Sequence, residues 1–192
     1  MVTKTKKLVL CAVCAALTCA VAPLSVPIAG LVPISLATFA VLFSGILLGG
    51  RMGAVSQAVY LLIGTVGLPV FAGYTSGIGR LLGPTGGYLI GYVPMAFVAG
   101  ALYYRFGRHR TGGRKYAMML LAMLAGEGIL YLFGTAWFCI VTGTGVLAAL
   151  MSCVLPFLLG DAAKITAVML VTPSLERAAS KLGVLPAPTA HI

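Results

Sequence analysis

Pro156-Phe-Leu-Leu-Gly-Asp-Ala-Ala-Lys-Ile-Thr-Ala-Val-Met-Leu-Val171 is an apolar run interrupted by one acid and one base. Asp161 and Lys164 stand three positions apart, so on a helix they share a face and can pair or hold a common partner. The Leu, Ile, Val and Met around them predict a membrane span. An ionisable group in hydrocarbon costs about 2.5–3.5 kcal/mol even on lenient insertion scales, so two in one span point to a binding site or an ion pathway. The competing reading is a structural ion pair that satisfies itself.

The rest of the chain agrees with a membrane setting. Of its 192 residues 60% are hydrophobic and only 8% charged, and the mean hydropathy is +1.09; soluble domains are about a quarter charged. The 13 basic residues against 3 acidic ones do not spread over a surface. They gather between apolar runs, as topology signals do, and no nucleic-acid motif accompanies them. Met1 to Lys7 followed by an apolar run resembles a signal peptide, but the run continues to Val21 without a stop, and it is read as a retained first helix.

Apolar runs separated by Gly/Pro clusters or charges predict a single all-α domain over 1–192. It is a six-helix transmembrane bundle with spans near 7–22, 33–48, 54–68, 85–104, 115–138 and 156–172. Several are shorter than the usual 20 or so residues, which calls for tilt or local thinning. Val146–Met151 is a candidate short surface helix. Lys4, Lys6, Lys7, Arg51, Arg105, Arg108, Arg110, Arg114, Lys115, Arg177 and Lys181 then fall on one side, and only Arg80 on the other. The positive-inside rule puts both termini in the cytoplasm. The loops near 23–32, 69–84 and 139–155 face outward. Asp161 then lies about 7–8 Å and Lys164 about 12 Å below the outer end of the sixth span.

The outward connection Gly67-Leu-Pro-Val-Phe-Ala-Gly-Tyr-Thr-Ser-Gly-Ile-Gly-Arg-Leu-Leu-Gly-Pro-Thr-Gly-Gly-Tyr88 is rich in glycine. Its Gly83, Thr85, Gly86, Gly87 and Tyr88 open the fourth span, and a helix N-terminus there suits an anionic or carbonyl group. Arg80, the lone outward cation, can clamp a carboxylate. A mobile loop with tight packing at Gly86 and Gly87 is the alternative. No Gly-Lys-Ser/Thr phosphate loop, metal motif or nucleophile–base set is visible, so neither ATP hydrolysis nor an enzyme activity is read, and no cofactor is implied. Cys11 and Cys14 lie inside the first span with no His nearby, and five cysteines give no disulfide framework. His109 in a basic loop and His191 in the tail have no ligand set around them.

Three segments carry a resemblance across residues 8–175. They are Val32-Pro-Ile-Ser-Leu-Ala-Thr-Phe39 with Gly49-Gly-Arg51; Gly67 to Gly73 continuing through Gly83-Pro-Thr-Gly-Gly-Tyr88; and Pro156 to Lys164. Together, in this order, they resemble the BioY family, the biotin-specific substrate-binding (S) components of energy-coupling-factor (ECF) transporters. The resemblance implies a six-helix S component in a prokaryotic cell membrane. Its implied partners are biotin, a transmembrane coupling (T) subunit and two cytoplasmic ATPases. It implies that Asp161 and Lys164 contact the vitamin: the carboxylate accepts a ureido N–H and the ammonium donates to the ureido carbonyl. Phe71, Tyr74 and Tyr88 are candidate apolar walls. Family members often carry Gln where this chain has Ala37, so no side-chain hydrogen bond comes from that position.

In the first span Ala12, Ala16 and Ala20 recur every four residues, a small-residue stripe that permits close helix approach. In this family such a stripe resembles the surface that meets the coupling subunit; internal packing is the other reading. Glu127, mid-span in the fifth helix, is read as structural or at the pocket edge rather than proton-coupling. The rival function is a stand-alone secondary transporter driven by protons through Glu127 and Asp161, against which no inverted repeat is evident.

Overall fold

A computed structural model describes residues 4–26, 34–181 and 183–184. The chain runs α1 (Lys4–Val21), β1 (Ser25–Val26), β2 (Ile34–Ser35), α2 (Ala37–Leu48), α3 (Gly50–Val66), α4 (Ile78–Leu82), α5 (Gly86–Leu102), α6 (Gly112–Thr142), α7 (Val146–Cys153) and α8 (Phe157–Lys181). Among the described residues the protein is all-helical apart from the two-residue antiparallel ladder β1–β2, in which Ser25 faces Ser35, and an isolated Phe71–Thr75 bridge. Gly86–Gly107, Gly112–Thr142 and Phe157–Lys181 are long and apolar enough to cross a bilayer.

Among the described helices, α1, α2, α3, α5, α6 and α8 overlap the six apolar runs, with shifted ends. The expected start of the second span at Pro33 and most of the 23–32 loop fall on residues 27–33, outside the described residues, as does the His191 tail. The helix itself begins at Ala37, where the Ser35 hydroxyl accepts from the Ala37 N–H at 3.0 Å and stands in for a missing helical acceptor. The third helix begins four residues before its expected start and follows α2 after a single residue. That residue is Gly49 at φ 82°, a conformation costly for any side chain with a Cβ. The fourth ends in a π turn over Tyr103–Gly107. The sixth does not stop at Thr172. It continues through Pro173 to Lys181, because a proline deletes one backbone bond without forbidding the turns that follow when packing holds them. The short surface helix forms and reaches Cys153.

Small residues let three helices approach at backbone distance. A Cβ added at Gly45 of α2 would meet the Ala96 carbonyl of α5 at 2.6 Å, and one at Gly50 of α3 the Phe97 carbonyl at 2.6 Å. Around this contact lies the core of Val41, Leu42, Ile46, Tyr60, Met95, Ala96, Ala99, Met119, Met123 and Val168, all fully buried. A buried polar knot joins α1, α2 and α3: Gln57 Nε2 donates to Ser44 Oγ at 2.8 Å and to Thr18 Oγ1 at 3.2 Å. Outside the core, Leu62, Leu121, Leu132, Ile140, Leu159 and Leu170 stay exposed, as an apolar solvent permits.

Candidate functional site

The buried positions of α8 are Phe157, Asp161, Lys164, Ile165, Val168, Thr172, Pro173 and Glu176. Most recur at intervals of three or four, one stripe of the helix. Asp161 and Lys164 therefore face inward because the apolar residues of their stripe do. Both are almost fully buried, at 5% and 8% exposure. Their ion pair closes at 2.9 Å between Lys164 Nζ and Asp161 Oδ1.

Two residues from other helices complete the group. Thr38, in the first turn of α2, accepts from Lys164 Nζ at 2.9 Å and donates to Asp161 Oδ1 at 3.3 Å. Tyr131 of α6 donates its hydroxyl to the other oxygen, Asp161 Oδ2. A carboxylate offers roughly four acceptor sites and an ammonium three donors. Three of the first and two of the second are taken, so the pair keeps about one acceptor and one donor in reserve.

That reserve faces a cleft. The inner lobe encloses about 380 Å³ of empty space, open solvent included, among Ser35, Thr38, Tyr88, Tyr92, Leu130, Tyr131, Phe157, Asp161 and Lys164. Ser35, Tyr88 and Tyr92 also line an outer lobe of about 460 Å³, measured in the same way, together with Phe71, Ala72, Thr75, Arg80, Thr85 and Leu89. The two lobes share Ser35, Tyr88 and Tyr92 and together have the mixed apolar and polar lining of small-molecule sites. Apolar and aromatic walls run from an ion pair at the inner end to an exposed arginine at the outer end.

The glycine-rich connection is folded rather than loose. Phe71 and Thr75 exchange backbone hydrogen bonds at 2.9 and 3.3 Å, and Gly73 N–H reaches the Pro23 carbonyl at 3.1 Å. The ring of Phe71, 1% exposed, covers Gly64, where a Cβ would overlap it. Of the residues named from sequence, Phe71, Arg80, Thr85 and Tyr88 line the cleft with Asp161 and Lys164. Tyr88 is steadied by donating to the Cys153 carbonyl at 3.1 Å. Tyr74 instead turns outward at 66% exposure.

Gly83, Gly86 and Gly87 serve close packing. Gly83 accepts from Trp137 Nε1 at 3.0 Å. A Cβ at Gly86 would overlap the Leu81 carbonyl, and one at Gly87 would meet the Phe133 carbonyl at 2.6 Å. Gly86 and Tyr88 already spend their N–H groups on Gly83 and Thr85, so the opening turn of α5 presents few free donors.

Ala37 is buried at 1%, and the neighbouring Thr38 supplies the polar contact from α2. Thr38 and Tyr92 were not singled out from sequence, nor was Tyr131. Only the presence of Thr38 inside the Val32–Phe39 segment hinted at it. Glu127 is buried at 4%, and neither of its oxygens has a partner among the described residues. Ala12, Ala16 and Ala20 all lie on the exposed face of α1, so they do not pack inside this chain. Among the described residues no cluster of three or more His, Cys, Asp or Glu could hold a metal.

Comparison with known proteins agrees with this architecture. The chain is 36% identical to a probable biotin transporter BioY of Pyrococcus horikoshii, over 90% of this chain and 98% of the relative. It is 33% identical to a biotin transporter of Lactococcus lactis, over 93% and 94%. Its fold matches the crystal structure of the S-component for biotin from an ECF-type ABC transporter, with a TM-score of 0.83 and 27% identity over 91% of this chain and 92% of that one. Residues 1–181 match the BioY family, and with relatives above 30% identity over nearly their full length, this multi-pass membrane chain belongs to that family.

Proposed function

We propose that this chain is a biotin-capturing S component of an ECF transporter in a prokaryotic plasma membrane, with both termini in the cytoplasm and the cleft opening outward. The observation that carries the reading is the cleft's polarity: one free acceptor and one free donor at its buried end, one arginine at its exposed end. Biotin is complementary to this. Its ureido edge offers an N–H beside a carbonyl, its ring and chain are apolar, and its carboxylate lies at the far end. Asp161 accepts the N–H, Lys164 donates to the carbonyl, Phe71, Tyr88 and Tyr92 flank the apolar body, and Arg80 meets the carboxylate.

Uptake by this chain requires energy from outside it, and a T subunit with two ATPases is the partner set proposed. The exposed Ala12–Ala16–Ala20 stripe supports a close helix–helix contact on α1. The decisive test is equilibrium binding of labelled biotin to the detergent-purified chain with no gradient imposed; no saturable binding rejects the reading. Ala16→Leu separates capture from transport. Binding is retained and ATP-dependent uptake with the partner subunits is lost if α1 is the docking face, whereas unchanged uptake removes the stripe from it.

A further inference from the structure

Behind the Asp161–Lys164 pair lies one buried acid that the pairing just described does not use, Glu127, which lines neither lobe of the cleft. Glu127 is 96% buried by its 4% exposure, yet Oε1 and Oε2 both lack a hydrogen-bond partner among the described residues. As a lone carboxylate it costs several kcal/mol in such surroundings; as a neutral acid its hydroxyl still needs an acceptor. Its position is not remote. Glu127 precedes Tyr131 by one turn on the same face of α6, and Tyr131 holds Asp161. The carboxyl lies within electrostatic range of both Asp161 and Lys164. Tyr92 of α5 and Tyr131 of α6 each lie within range of Glu127 and Asp161 alike.

We propose that Glu127 is a second counter-ion for Lys164, so that the ammonium is held between two carboxyls, Asp161 on its own helix and Glu127 on α6. The geometry allows it: Lys164 sits one turn further along α8 than Asp161 and bends back to reach it, while one of its three N–H groups is unused. Its long stem lets the charge swing without moving the backbone. When a ligand N–H takes up Asp161, the ammonium shifts towards Glu127, and the pocket keeps its charge paired with ligand present or absent. This second step rests on the binding reading above. The shared counter-ion does not.

The test is a mutant cycle on the detergent-purified, ligand-free protein, read by melting temperature. Glu127→Gln and Asp161→Asn each leave Lys164 one carboxyl, so each alone gives a modest fall. The two together strand the ammonium, and the expected fall exceeds the sum of the single falls. Adding Lys164→Met removes the stranded charge and the excess with it. Falls that simply add, or an excess that persists with Met at position 164, overturn the proposal. If the double variant cannot be recovered from membranes, recovery of the triple supports the proposal and failure of the triple overturns it.

Labelled biotin is then titrated into the parent and Glu127→Gln. A parent that does not bind rejects the biotin reading and leaves the thermal cycle intact. With a binding parent, a several-fold weaker Kd in Glu127→Gln supports the shift of Lys164, and an unchanged Kd overturns that step.

Discussion

Helix α8 carries two buried ion-pair clusters, one near each end, and they differ in what they leave unfinished. Near its start, Asp161 and Lys164 are tied by Thr38 and Tyr131 and open onto the cleft. About 22 Å further along, Glu176 Oε2 accepts from Lys115 Nζ at 2.7 Å and from the Tyr103 hydroxyl at 3.1 Å. That second cluster joins α8 to the start of α6 and to the π turn after α5. It lines neither lobe of the cleft. Both clusters satisfy the same rule, that charge inside a membrane protein must be paired. Both keep an acceptor unused, Glu176 Oε1 in the second cluster, but only the first has the empty space of the cleft beside it. A buried ion pair is therefore weak evidence of a site, and the unused acceptor and donor beside a cavity are the stronger evidence.

Substitutions at the two ends can break or sharpen this contrast. The largest effect is expected from Lys164→Met, which keeps the apolar stem but leaves Asp161 without its counter-charge. Breaking a buried pair from one side costs about 3–5 kcal/mol. The melting temperature should fall steeply and biotin binding should vanish; a variant that binds as the parent does would make the first cluster as purely structural as the second.

Asp161→Asn comes next. It turns one acceptor towards the ligand into a donor, and the expected loss is about 1.5–3 kcal/mol of binding free energy, some 10- to 150-fold in Kd by equilibrium titration. Unchanged affinity would take Asp161 out of the site. Glu176→Gln is the smallest and the sharpest control. It should lower the melting temperature by an amount in keeping with about 1–3 kcal/mol, since Lys115 is partly exposed at 16% and solvent takes up part of its charge. Biotin affinity should not change. A changed Kd would show that the two ends of α8 are energetically connected.

The sequence made the inner end of the cleft legible through contrast: two charges in sixteen residues of otherwise apolar helix need no tertiary information to be noticed. Thr38, Tyr92 and Tyr131 carry no such contrast. Each is a common residue on a helix of its own, and only the packing of α2, α5 and α6 around α8 brings them together. The glycines carry two readings for a related reason. Gly83-Pro-Thr-Gly-Gly suggested a backbone-donor site, but the same small residues also permit close approach. The Leu81 and Phe133 carbonyls and the Trp137 side chain occupy the space that a Cβ would need. A breaker or a charge marks a helix end poorly in this chain, in either direction. The expected 54–68 span ends two residues early, at Val66, whereas two other helices run past their expected ends. Pro173 sits inside α8, and Arg114 and Lys115 belong to the opening turns of α6, because tertiary contacts such as Lys115–Glu176 outweigh local propensity.

The one-residue joint between α2 and α3 limits how the chain can be altered. Gly49 sits at φ 82° against the Tyr104 ring, with 3.1 Å between that ring and an added Cβ. Tyr104 in turn donates to the Leu47 carbonyl at 2.7 Å. An inserted residue there has no room, and it would rotate α3 against α5 and pull apart the Gly45–Ala96 and Gly50–Phe97 contacts. At the opposite extreme, Thr142–Gly145 is a turn in which a Cβ at Gly143 or Gly145 meets nothing within 4 Å. A spectroscopic reporter or a purification handle therefore belongs in the α6–α7 turn, and length variation among related chains should concentrate there rather than at the α2–α3 joint.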